Sequence, residues 1–237
     1  MARVLMPLPD TDFDVTEVAV PWKLLTEAGH EVVFATENGA KPAADPLLIT
    51  GVLFGQLGAE PEPKAFYAEL ESAKAFETPM LWRDIDASKL DALVLAGGHA
   101  PGMRQYLGSA LMHEKVAAFA KTRKPLAAIC HGTIVLARAG GLEGRKTTCL
   151  PKYMERIAYF ISFWKLGKYY RTYPEYVEDE VRRSCGEFVR GPIELLNRGT
   201  RENDKPAFVV EDDNYVSARW PGDAYLFSKK LIERLGR

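Results

Sequence analysis

The sequence predicts an α/β fold, a mainly parallel sheet with helices on both faces, and three observations carry that reading. Short apolar runs alternate with helical stretches from Arg3 to Leu150. The first run, the helix after it and the second run have the spacing of a strand–helix–strand unit, whose strands are parallel. Two later apolar runs end in Gly97-Gly98-His99 and Cys130-His131-Gly132, small-residue turns of the kind that lead from strand to helix.

Taken in order, Arg3–Leu8 is an apolar run bounded by prolines and reads as the first strand. A polar loop leads to a helix over Glu17–Ala28, capped by Asp14 or Thr16 and stopped by Gly29. His30–Ala35 is the second strand. Residues 36–88 are irregular and carry Pro42, Pro46, Pro61, Pro63 and Pro79, with a helix over Lys64–Ala75. Leu90–Leu95 resumes the sheet, Ser109–Thr122 is helical, and Pro125–Ile129 is the next strand. A short helix over Ile134–Arg138 stops at Gly140-Gly141, and Lys146–Leu150 reads as a further strand.

Residues 151–200 break the rhythm and read as a helical insertion. Tyr153–Tyr170 is aromatic-rich with a helical period, and Val177–Ser184 is a charged helix. The aromatic residues are too dense for a single core-facing stripe, so core, lid and interface positions all remain open to them. Alternation returns with Ala207–Glu211, Tyr215–Arg219 and a closing helix over Pro221–Leu235. No linker divides the chain, and one domain over 1–237 is expected.

With 47% hydrophobic and 27% charged residues, the chain can bury a sizeable core. A formal net charge of −1 gives no basic footprint for nucleic acid. No run reaches the roughly 18 apolar residues of a membrane span, and Pro7 interrupts the first run too soon for a signal peptide. The three cysteines form no Cys-x-x-Cys pair, which fits reduced thiols and a cytoplasmic location. Neither glycine-rich turn fits the dinucleotide pattern Gly-x-Gly-x-x-Gly, and no metal or cofactor is expected.

Reactive groups in parallel sheets gather at the C-terminal ends of strands. Ala127-Ala128-Ile129-Cys130-His131-Gly132-Thr133 has the strand, sharp turn and helix of a nucleophile elbow, with Gly132 leaving room for the turn. The following helix is expected to favour the thiolate of Cys130. Gly97-Gly98 reads either as a tight turn or as a source of amides facing an oxyanion, with the amide of His131 as the second donor. Cys149 and Cys185 read as inert core residues. From spacing alone, Glu17 is a helix N-terminal acid favoured by the helix dipole.

The motifs Leu95-Ala96-Gly97-Gly98-His99 and Ala128-Ile129-Cys130-His131-Gly132, with Glu17 opening the first helix, resemble the DJ-1/PfpI (ThiJ) superfamily and its class I glutamine amidotransferase relatives. The resemblance covers residues 1–150 and 205–237, and the branch it approaches is that of heat-shock protein 31. It implies a flavodoxin-like, doubly wound sandwich. It further implies that Cys130 is the nucleophile, that His131 is a general base or acid, and that Glu17 is the proton partner of the cysteine. His99 and the glycines would line the substrate site. In that branch a third acid follows the next strand; Glu155 stands in that place, or else on the surface of the insertion helix.

For function, the resemblance implies a cysteine-dependent enzyme acting on a small carbonyl compound, in the manner of a glutathione-independent glyoxalase. An amidase or peptidase using the same cysteine is the second reading, and a redox-sensing stress chaperone with an oxidisable Cys130 is the third. Ammonia release from glutamine is excluded. Its triad needs a histidine well downstream of the elbow, and the histidines are His30, His99, His113 and His131. Relatives are commonly dimers, so a homodimer is expected.

Overall fold

The computed structural model describes residues 1–51 and 57–236. The first half runs β1 (Arg3–Pro7), β2 (Thr11–Phe13), α1 (Val15–Glu27), β3 (Glu31–Thr36), β4 (Ala43–Ala44), α2 (Pro46–Thr50), α3 (Pro61–Leu70), α4 (Lys74–Glu77) and β5 (Met80–Leu81). It continues with β6 (Ala92–Leu95), α5 (Met103–Leu107), α6 (Ala110–Ala120), β7 (Leu126–Ile129) and α7 (Gly132–Arg138). The remainder is β8 (Lys146–Thr147), α8 (Lys152–Leu166), α9 (Val177–Ser184), β9 (Glu187–Phe188), β10 (Val209–Asp212), β11 (Tyr215–Ala218) and α10 (Ala224–Leu235).

The central sheet has the order β10-β11-β7-β6-β1-β3-β5. Every neighbouring pair in it is parallel except β10 with β11. Residues of β6 and β7 are buried throughout, as expected of strands covered on both faces. α1 packs on α3 and α10, and α6 on α7, giving the helical layers of a doubly wound α/β fold. The chain leaves β1 toward β3 and later returns to β6 on the other side of β1. That reversal is the topological switch point, and open α/β sheets place their sites there.

Two expectations need correction. The segment Lys146–Leu150 does not join the central sheet: only Lys146 and Thr147 are extended, and they pair with β9 in a separate small sheet. The outer edge of β11 is taken by β10, so the segment attaches through side chains instead. Thr147 Oγ1 bonds Tyr215 Oη at 2.9 Å, and the Thr148 amide donates to Ser217 Oγ at 3.0 Å. The tenth strand also starts two residues later than predicted, at Val209, and ends in a tight hairpin through Asp213 and Asn214.

Within residues 151–200, α8 is followed by a single helical turn over Tyr169–Arg171 and then α9. The dense aromatic run divides between environments. Phe160, Phe163 and Trp164 are exposed, whereas Tyr169 and Tyr170 are buried. A fully buried ion pair fixes the limb that returns to the sheet. Arg219 Nε and Nη2 each donate to Asp223 at 2.8 Å, and Nη1 donates to the Pro192 carbonyl at 2.7 Å. No helix among the described residues is long and apolar enough to cross a membrane.

Candidate active site

The ends of β6 and β7 and the start of α1 meet at the switch point. Cys130 follows β7 with φ of +55°, a left-handed conformation that a non-glycine residue holds only when its surroundings enforce it. Two contacts supply that enforcement. The Cys130 amide donates to the Ala218 carbonyl at 3.1 Å, and Thr133 Oγ1 donates to the Cys130 carbonyl at 2.7 Å. Gly132 lets α7 begin against the end of β6, since a Cβ there would overlap the Leu95 carbonyl.

Glu17 comes to the cysteine by way of Gly97. The Gly97 amide donates to Glu17 Oε2 at 2.8 Å, and the Gly97 carbonyl accepts from the Asp14 amide at 2.9 Å. A Cβ on Gly97 would stand 2.7 Å from the His131 nitrogen and 2.9 Å from Glu17 Oε2, so only glycine allows the three segments to close. The Gly97 N–H, an oxyanion donor in the sequence-based expectation, is instead engaged by Glu17.

The electrostatics differ from a helix-stabilised thiolate. Cys130 is 1% exposed and Glu17 0%. Burial, then the charge of Glu17, push the thiol well above its ordinary range, and only the His131 amide acts the other way. α7 spans just seven residues. Burial, reinforced by Asp14, likewise lifts Glu17 well above the carboxylate range. Each group acts on the ionisation of the other, while Glu17 Oε1 is buried with no hydrogen-bond partner among the described residues. Carboxyl and thiol therefore act as a coupled pair competing for a proton.

Cys130 Sγ lies 3.4 Å from His131 Nδ1. Burial holds His131 well below the usual imidazole range and brings His99 down to about 4, so both rings are neutral near pH 7. The rings meet edge to face at 4.7 Å between centroids. The segment after α8 roofs them: Tyr170 packs against His99 at 4.9 Å and Tyr173 against His131 at 5.4 Å. Beside His99 opens a largely apolar cavity of about 280 Å³, which Asp14, Leu150 and Trp220 also line.

Glu155 is placed elsewhere. Its buried carboxyl accepts from the Val177 amide at 2.9 Å at the start of α9, and the charges acting on it are Arg171, Asp179 and Glu178. The acids acting on Cys130 are Glu17 and Asp14. Asp14 was read only as a cap, and it does cap α1, accepting from Thr16 at 2.8 Å and Glu17 at 3.1 Å. Its burial raises it to about 6. No group of three or more histidine, cysteine, aspartate or glutamate side chains suited to a metal ion occurs among the described residues.

A cysteine on a strained strand-to-helix turn, at the switch point of a parallel sheet and with a buried acid beside it, defines the nucleophile-elbow class of α/β proteins. A sequence profile described as ThiJ/PfpI family-like matches residues 8–192. The chain belongs to that family. An uncharacterized protein of Schizosaccharomyces pombe is 29% identical, over 97% of this chain and 82% of its own. A deglycase of Pyrococcus abyssi is 27% identical, over 98% of this chain and 99% of its own. The crystal structure of glyoxalase III from Candida albicans superposes with a TM-score of 0.71 at 17% identity, covering 98% of this chain and 97% of that one, and so shares the fold.

Proposed function

We propose that this chain is a cysteine-dependent enzyme of small carbonyl compounds that converts a 2-oxoaldehyde and water into a 2-hydroxy acid. One observation carries the reading: a single sulfur has a neutral imidazole nitrogen at 3.4 Å and a buried carboxyl whose charge acts on it. The names of relatives, deglycase and glyoxalase III, support carbonyl chemistry for the family.

His131 accepts the thiol proton as Cys130 Sγ adds to the aldehyde carbon, then returns it to the aldehyde oxygen, which yields a hemithioacetal. The amides of Gly98 and His131 are the donors we assign to the oxygen charge that develops. Glu17 in its ionised form removes the hydrogen from the former aldehyde carbon. Its raised basicity suits that task, because a carboxylate of ordinary pKa is a weak base. The electron pair forms an enediol with the adjacent carbonyl, and Glu17 delivers the proton to the second carbon. Transfer of the remaining hydroxyl proton leaves a thioester, and water cleaves its carbon–sulfur bond. This restores the thiol and releases the 2-hydroxy acid.

The test is methylglyoxal consumption by purified protein, with lactate identified as the product. Wild type is expected to consume it, and Cys130→Ala to fall to the uncatalysed rate. Equal activity of the variant, or none in the wild type, removes the reading.

A further inference from the structure

The mechanism above does not use the cavity beside His99. Its walls include Leu48, Ala59, Met154, Ala158, Leu195 and Trp220, and its volume is about 280 Å³. A dry cavity of about 150 Å³ accommodates benzene, so this one has room for an aryl ring and a short linker. The methyl group of methylglyoxal would leave most of it unfilled. Its make-up, largely apolar with a few polar groups, is that of a ligand pocket. Asp14, Thr16, His99 and Arg198 are among its polar lining.

Two further observations point to an occupant. Thr16 and Trp220, 3% and 9% exposed, both line the cavity. Thr16 Oγ1 and Trp220 Nε1 are each buried without a hydrogen-bond partner. Buried polar atoms are rarely left so. His99 connects this space to the chemistry, since it lines the cavity while its ring packs on His131, the neighbour of Cys130 Sγ.

We propose that the cavity receives an apolar arm of the substrate, so that the preferred substrate is a 2-oxoaldehyde bearing an aryl or bulky alkyl group. This rests on the carbonyl reading of Cys130. Met154 and Ala158 lie on α8 and Leu195 on the limb that follows α9, so residues 151–200 supply part of the wall, opposite Leu48 and Ala59.

The experiment compares kcat/KM for phenylglyoxal and methylglyoxal in wild type and in two variants that fill the cavity from opposite walls, Ala158→Phe and Ala59→Leu. Each variant is first checked for native folding by circular dichroism, and using two walls guards against one misfolding. Wild type is expected to prefer phenylglyoxal, and both fillings to lower the phenylglyoxal-to-methylglyoxal ratio by about ten- to a hundredfold. Binding of benzyl alcohol, which has the ring and a hydroxyl but no carbonyl, is followed by calorimetry in parallel. Equal or better turnover of methylglyoxal by wild type, or a ratio unmoved by the fillings, overturns the pocket and leaves the carbonyl reading intact. If neither aldehyde is consumed, the carbonyl reading fails. The cavity then stands as an apolar ligand site if Ala158→Phe weakens benzyl alcohol binding, and falls if benzyl alcohol does not bind.

Discussion

Replacing Glu155 with Gln separates a structural acid from a chemical one. The carboxyl is 2% exposed, accepts from the Val177 amide at 2.9 Å, and is raised by burial from its ordinary 4.5 to about 8. A raised value means that the folded chain holds the proton more tightly than the unfolded one. The stabilising contribution is complete below pH 4.5 and is lost as pH climbs through 8. Moving a carboxyl from 4.5 to about 8 corresponds to about 5 kcal/mol by proton linkage. Glutamine keeps an oxygen for the Val177 amide and carries no ionisable proton. Urea unfolding from pH 5 to pH 9 is therefore expected to show Glu155→Gln gaining on wild type by about 1.4 kcal/mol per pH unit until near pH 8, and levelling off beyond. Turnover of methylglyoxal is expected to stay within a few-fold of wild type. A stability difference that is flat with pH would refute the reasoning, as would a well-folded Glu155→Gln with no turnover.

Three further substitutions probe the site and its supports. Asp14→Asn removes a negative charge that raises both Cys130 and Glu17, so the rate of thiol alkylation by iodoacetamide should rise at a lower pH than in wild type; an unmoved or upward-shifted profile contradicts this. Arg219→Met strands the fully buried Asp223 carboxylate and should lower unfolding stability by about 3–5 kcal/mol, with Asp223→Asn added on top recovering part of the loss. Gly132→Ala forces a methyl group into the Leu95 carbonyl and should destabilise by about 1–3 kcal/mol in denaturant titration.

What could be read in the chain beforehand was what depends on short stretches. β1, β6 and β7 announce themselves as apolar runs ended by prolines or small residues, and the elbow lies between an apolar strand and a helix start. Glu17 was proposed only through a family resemblance, and the structure brings it to Cys130 across the Gly97 bridge. Hidden from sequence were the effects of long-range closure. The Arg219–Asp223 pair is an ordinary i,i+4 couple until the returning limb buries it. Asp14 has the appearance of a simple cap until its burial beside Glu17 gives it a second charge role. The upward displacement of the thiol follows from complete enclosure, which no local pattern encodes. Tyr170 and Tyr173 cover the histidines only because the segment after α8 folds back over the strand ends.

Gly97 has a mechanical consequence. Its amide and carbonyl both grip the N-terminus of α1, so the end of β6 and the first helix travel together. Sliding β6 so that Ala96 took this place would set a methyl group against the His131 nitrogen and the Glu17 carboxyl, where the Cβ has no room. The accuracy of the acid–thiol pairing is thus set by the same register that holds the sheet, and a change in strand alignment anywhere between β1 and β7 would be felt first as lost reactivity.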